Sequence, residues 1–317
     1  MRREEPRADA SEETGSVTAI GELATEARNP RTLHLDELET PRLLEVMNDE
    51  DHLVAAAVRR ALPQIGAAVD LVAAARRVGG RLIYLGAGTS GRIGLLDAVE
   101  CPPTFGTDPD EVLGLIAGGE NAFIRAVEGA EDDPELAVRE LDAVRVGPDD
   151  VVVGLAASGR TPYVLGGLRH AASLGAATVA VSCTPGARVS EVADVAIEVV
   201  TGAEVLTGST RLKAGTAQKL VCNMISTASM VRTGKAYSNL MVDVRPTNAK
   251  LLDRAERIVA AATGAEPAAA RAALGAADEH AKTAVVMLLA SRSAEDAAAL
   301  LTRSNGDVRG AVALAVD

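Results

Sequence analysis

The 317-residue sequence predicts an α/β fold, a parallel sheet flanked by helices, followed by a small C-terminal helical bundle. Three observations predict it. From Gly80 to about Gly234, short apolar runs alternate with amphipathic stretches, the signature of strands joined by crossover helices. Two of those runs end in turns rich in glycine and hydroxyls that lead directly into helical pattern. Beyond Asn248 the chain is Ala-rich and helical, with no further strand-like run.

Taken in order, residues 1–20 are rich in Arg, Glu, Ser and Gly and read as a disordered extension. Residues 21–71 form an N-terminal helical segment. Its periodic apolar pattern runs from Thr40 to Val78 and is interrupted at Pro63. Residues 72–235 hold the strand candidates Leu82–Leu85, Val112–Ile116, Val151–Ala156, Thr178–Ser182 and Val195–Val200, with helices between them. Such continuously apolar strands suit a sheet covered on both faces. Residues 236–317 form the helical C-terminal region, with breaks at 264–267 and 291–293. The last piece reads as two short helices joined at Asn305-Gly306-Asp307.

Composition excludes several function classes. A formal charge of −12 argues against a nucleic-acid partner, which needs a basic surface. With three Tyr, two Phe and no Trp, a stacking platform is also disfavoured, and a small polar ligand held by hydrogen bonds is expected. Cys101, Cys183 and Cys222 lie far apart, which indicates neither a disulfide framework nor zinc and fits a reducing cytoplasm. No apolar run approaches the roughly 20 residues needed to cross a bilayer, and the charged N-terminus lacks a secretory core. No membrane partner is expected.

The richest segment is Arg81-Leu-Ile-Tyr-Leu-Gly-Ala-Gly-Thr-Ser-Gly-Arg92, continuing through Glu100-Cys-Pro-Pro. The apolar run reads as a strand, Gly86 to Gly91 as a tight turn, and Ile93 to Val99 as a helix. That arrangement points backbone N–H groups at an anion. The G-x-G-x-x-G spelling is not a dinucleotide site, because no second strand with an acidic end lies about 20 residues on. Thr89 and Ser90 offer hydroxyls to a compact phosphate. A second loop, Gly154 to Thr161, repeats the plan with Ser158, Arg160 and Thr161, although either hydroxyl residue would also serve as an ordinary N-cap.

Two regions supply carboxylates. Glu100 closes the predicted helix, where the dipole disfavours negative charge and so favours a protonated carboxyl able to act as a general acid. Glu128 and Glu131 follow a Gly118-Gly119 turn, and spacing alone does not choose between them. A third segment, Gly202 to Lys219, could bring Glu204, Ser209 and Lys213 over a ligand, while Gln218 and Lys219 read as exposed helix positions. The four histidines are scattered, with no metal set or nucleophilic triad.

The motifs LGAGTSGRIGLLDAVECPPTFG, LIAGGENAFIRAVEGAED, GLAASGRTPYV, GAEVLTGSTRLKAGTAQKL and NLMVDVRPTNAKL, with TEARNP near the front, resemble the N-acetylmuramic acid 6-phosphate etherases from about Leu23 onward. The core of that family is a sugar isomerase (SIS) domain. The resemblance implies a flavodoxin-like three-layer fold, a homodimer, and no metal or organic cofactor. It also implies Glu100 as proton donor and Glu131, rather than Glu128, as the second catalytic carboxylate. The reaction it implies removes D-lactate from N-acetylmuramic acid 6-phosphate and adds water, leaving N-acetylglucosamine 6-phosphate. Val99 departs from the small Ser more usual there. Two rivals are an aldose-ketose isomerase, disfavoured by Glu-Cys-Pro-Pro, and a sugar-phosphate sensor, disfavoured by the presence of both glutamates.

Overall fold

A computed structural model describes residues 25–316 except Ala126, Arg245 and Thr247. The extension expected at 1–20 lies outside the described residues.

Two helices come first, α1 (Thr40–Arg60) and α2 (Leu62–Arg77), and the break falls at Ala61. Pro63 occupies the first turn of α2, where a missing N–H costs nothing. Five strands follow: β1 (Leu82–Gly86), β2 (Val112–Ile116), β3 (Val151–Leu155), β4 (Ala177–Ser182) and β5 (Val195–Glu198). They form one sheet in the order β2-β1-β3-β4-β5, and every pairing is parallel. This is the flavodoxin-like doubly wound order, whose switch point lies between β1 and β3. All five strand candidates are present, with ends shifted by no more than two residues.

The connections are α3 (Gly88–Phe105) after β1, α4 (Asn121–Ile124) and α5 (Pro134–Ala143) after β2, α6 (Pro162–Ser173) after β3 and α7 (Lys213–Arg232) after β5. Between β4 and β5 only a 3-10 turn, Arg188–Val192, stands where a helix was expected. Twelve residues separate those strands, the short end of the range for a helical crossover. Alternate strand residues divide the core. Leu82, Tyr84, Val153 and Val181 pack toward α2, α3 and α7, whereas Ile83, Leu85 and Val152 face α5 and α6.

The sequence reading ended the first crossover helix at Val99, and α3 instead continues through Pro102 and Pro103 to Phe105. Each proline removes one i→i−4 bond. Only the last turn is affected, and left-handed Gly106 (φ +62°) closes the helix by donating to the Pro102 carbonyl.

The C-terminal region is α8 (Ala249–Thr263), α9 (Pro267–Ala276), α10 (Ala281–Ala290), α11 (Ala294–Arg303) and α12 (Val308–Leu314), around a separate core that includes Val259, Leu274, Val285 and Leu301. The breaks near 264–267, 291–293 and 305–307 match the sequence reading. The break at 277–280 was not foreseen, because Asp278 and Glu279 take left-handed φ of +52° and +59° without any glycine or proline to announce it.

The N-terminal end of β1 is clamped by Asp150. Its carboxylate accepts from the Arg81 amide (2.9 Å), Nε (3.1 Å) and Nη2 (2.6 Å), and from the Gly147 amide (3.0 Å). Burial alone would raise this carboxyl, but Arg81 and the two amides hold it below the ordinary Asp range. A depressed carboxyl contributes stability above its unfolded value of about 3.9, and that contribution disappears as pH falls through the lower folded value. Asp150→Asn is expected to lower unfolding free energy at pH 7 by about 1.5–3 kcal/mol. In urea titrations the gap to wild type should close below about pH 4.

Candidate active site

The carboxyl ends of β1 and β3 lie side by side, with Gly86 paired to Leu155, so the two hydroxyl-bearing turns leave the sheet at the same level. The first turn is tighter than the sequence suggested. Only Ala87 separates β1 from α3, and Thr89 and Ser90 already belong to the first helical turn. Gly91 permits this, since a Cβ there would lie 2.6 Å from the Gly86 carbonyl oxygen. No side chain caps α3, so its leading N–H groups point outward, as an anion requires.

The second turn ends at Thr161, which holds the N-cap position of α6 without a side-chain cap bond. The ordinary capping role therefore does not account for its hydroxyl. Left-handed Gly159 (φ +70°) seats the turn against Ala187, which a Cβ would approach within 2.3 Å. Ser158, Arg160 and Thr161 are each half-buried beside it.

A cavity of about 150 Å³ opens at the α3 N-terminus, lined by Ala87, Gly88, Arg92, Glu128, Gly129 and Glu131 among others. The structure thus brings Glu131 to the first anion-facing turn. It brings Glu128 as well, so geometry does not choose between them. Arg92 holds the far wall by donating to the Phe123 carbonyl (2.8 Å) and the Ala122 carbonyl (2.7 Å). A larger cleft of about 440 Å³, lined by Ala57, Arg60, Gln64 and Glu198 among others, contains none of the expected site residues.

Glu100 is elsewhere. It is exposed on α3, twelve residues beyond Gly88, which at 1.5 Å per residue is about 18 Å along the axis. It is not at the helix terminus, so the dipole argument made for it fails. Leu96 and Val99, on neighbouring positions of the same helix, are 47% and 56% exposed.

Lys213 is also not at the turns. Its Nζ meets Glu50 at 2.6 Å with both side chains 2% exposed, and Arg31 joins the same carboxylate. Glu204 accepts from the Lys213 and Ala214 amides, each at 2.9 Å, and so caps α7. Burial raises the Glu204 carboxyl despite those two bonds. Ser209, half-buried, sits in the turn that enters α7, and that helix reaches Thr89 through Gly215. Gln218 is 1% exposed and accepts from Ser90 Oγ at 2.9 Å, contrary to the exposed position expected for it.

The sequence reading missed Asp97. This buried carboxylate accepts from Tyr84 Oη (2.8 Å), Asn223 Nδ2 (2.5 Å) and Ser226 Oγ (3.1 Å), tying α3 to β1 and α7. Its one signal was an acid inside the apolar run Gly-Leu-Leu-Asp-Ala-Val. Among the described residues no group of His, Cys, Asp and Glu is placed to hold a metal ion, and no helix is long and apolar enough to cross a membrane.

A doubly wound sheet with two anion-facing turns at its switch point defines a class of α/β proteins that take an anionic ligand beyond the carboxyl ends of the strands. Comparison with known proteins agrees with that class. A model of the SIS domain matches residues 131–228, and one of the glucokinase regulatory protein N-terminal SIS domain matches residues 64–172. The chain is 67% identical to the N-acetylmuramic acid 6-phosphate etherase of Mycolicibacterium smegmatis, covering 92% of this chain and 98% of that protein. It is 58% identical to the etherase of the same name from an Exiguobacterium species (92% and 100%) and 54% identical to N-acetylmuramic acid 6-phosphate etherase 2 of Vibrio parahaemolyticus (92% and 98%). The chain belongs to the N-acetylmuramic acid 6-phosphate etherase family.

The Lys213 geometry has a measurable consequence. Lys213→Met leaves Glu50 buried with only Arg31, and the expected loss is about 3–5 kcal/mol in urea unfolding at pH 7. Unchanged stability with weakened sugar-phosphate binding would instead place Lys213 at the ligand.

Proposed function

We propose that this protein is a lyase that cleaves the D-lactyl ether of N-acetylmuramic acid 6-phosphate, giving N-acetylglucosamine 6-phosphate and D-lactate. The observation that carries the reading is Glu131 lining a cavity that opens on the uncapped N-terminus of α3, in a chain of this family. The phosphate is held by the α3 amides, Thr89 and Ser90 on one side and by Ser158, Arg160 and Thr161 on the other, with Ser209 nearby. Holding the phosphate fixes the sugar in reacting geometry.

The open-chain aldehyde acidifies the proton on carbon 2, and the lactyl ether leaves from carbon 3. Glu131 takes that proton while the carbon–oxygen bond to lactate breaks. Glu100 protonates the departing oxygen. Water then adds across the double bond, with hydroxyl to carbon 3 and a proton returned to carbon 2. The reaction supplies cytoplasmic breakdown and recycling of cell-wall sugar.

An 18 Å rise along α3 keeps Glu100 away from the Glu131 cavity of its own chain. The reading is therefore a homodimer in which each Glu100 completes the partner's site. The exposed Leu96 and Val99 beside Glu100 support a subunit contact there.

In heavy-oxygen water, D-lactate release should place the label on carbon 3 of the sugar product. Glu100→Gln and Glu131→Gln should each lower kcat by about 10²–10⁴-fold. Binding without lactate release in the wild type would make the protein a sensor. Mixing the two inactive variants should restore about a quarter of wild-type activity if each site draws one glutamate from each subunit. No recovery after subunit exchange would assign both glutamates to one chain.

A further inference from the structure

The Ser90–Gln218 pair is polarised the wrong way for a phosphate site. A hydroxyl has one proton, and that of Ser90 is donated to Gln218 Oε1 at 2.9 Å. The Gln218 Nε2, also buried, has no hydrogen-bond partner in the protein. Native folds rarely leave a buried amide N–H₂ unpaired, so this one calls for an explanation. The atom is sealed from solvent and cannot touch a ligand directly. It can act only through Ser90.

The neighbourhood holds Gln218 rigidly. Gly215, one turn earlier on α7, faces the Thr89 methyl, so α7 runs close against the first turn of α3. The start of α7 is fixed by the Glu204 cap and by the Lys213–Glu50 pair. The Gln218 backbone has little freedom, whereas its amide can rotate about its last bond, because oxygen and N–H₂ are nearly the same size.

We propose that Gln218 is a positioning residue for the phosphate of the substrate, acting by an amide flip. This rests on the reading that Ser90 binds that phosphate. When a phosphate monoester arrives, Ser90 turns its proton to a phosphate oxygen and its bond to Gln218 Oε1 is lost. The amide rotates by half a turn and Nε2 donates to Ser90 Oγ. One hydrogen bond becomes two in series, each polarising the other. The unpaired group changes from an N–H₂ to a carbonyl, the more readily tolerated of the two. No covalent bond changes.

The test uses the full-length protein, with inorganic phosphate and N-acetylglucosamine 6-phosphate as probes. Calorimetry is run on wild type, Ser90→Ala, Gln218→Met and the double variant, and the Gln218 side-chain amide is followed by ¹H–¹⁵N NMR, assigned by its absence in Gln218→Met. Ser90→Ala should weaken binding about tenfold or more. Gln218→Met should weaken it about three- to tenfold and raise KM with kcat within about twofold of wild type. The double variant should bind no more weakly than Ser90→Ala, because Gln218 acts through Ser90. The amide protons should shift on phosphate addition in wild type and stay still in Ser90→Ala. Wild-type affinity in Ser90→Ala would remove the phosphate reading of Ser90, and this inference with it. Weakened binding in Ser90→Ala, combined with a silent Gln218→Met, additive losses or an unmoving amide, would overturn the flip and leave the phosphate reading intact.

Discussion

The fixed rise of one uninterrupted helix governs the candidate site. α3 begins as the anion-facing turn and carries Glu100 three turns later, so the two are locked about 18 Å apart whatever the side chains do. No local rearrangement brings them together while the helix is intact. The helix is held along its length by the Ser90–Gln218 bond at its start, by Asp97 with three donors at its middle and by the Gly106 cap at its end. In the reaction proposed above, Glu100 is therefore supplied by a second copy of the chain.

α7 is the second rigid element, and its anchoring reaches back to the N-terminal arm. Thr32 donates to the Val205 carbonyl at 2.8 Å, Asn29 to the Ala203 carbonyl at 3.4 Å, and Arg31 pairs with the same Glu50 that holds Lys213. Residues 29–32 therefore clamp the Gly-rich segment that feeds α7. Taking these charges out of water is costly. What the cluster secures is the placement of α7, and through Gln218 the orientation of Ser90.

Much of the fold was legible because parallel strands buried on both faces leave short, uniformly apolar runs, as at Leu82–Leu85 and Val151–Leu155. The two anion-facing turns were legible for a related reason, since each needs glycine at a fixed offset from the strand. Pro102 and Pro103 misled the reading of α3. Proline disfavours a helix interior but is tolerated in a final turn that a left-handed glycine closes. The α9–α10 break was invisible because Asp278 and Glu279 adopt left-handed backbone without the residue types that advertise it. Lys213 was read as facing a ligand and Gln218 as facing solvent, and only tertiary structure shows that Glu50 meets the first and Ser90 the second.

The protein's scarcity of aromatic residues gives it an unusual optical property. With no tryptophan, its tyrosine absorbance and emission come from Tyr84, Tyr163 and Tyr237, while Phe105 and Phe123 add only weaker bands at shorter wavelength. Tyr84 lies in the core on the α7 side of the sheet, Tyr163 in the core on the α6 side, and Tyr237 against the C-terminal helices with the Arg309 guanidinium 5.0 Å from its ring centre. Each hydrophobic cluster thus contains one native tyrosine. Single Tyr→Phe substitutions would turn ordinary tyrosine emission and circular dichroism into a layer-by-layer record of how the molecule comes apart.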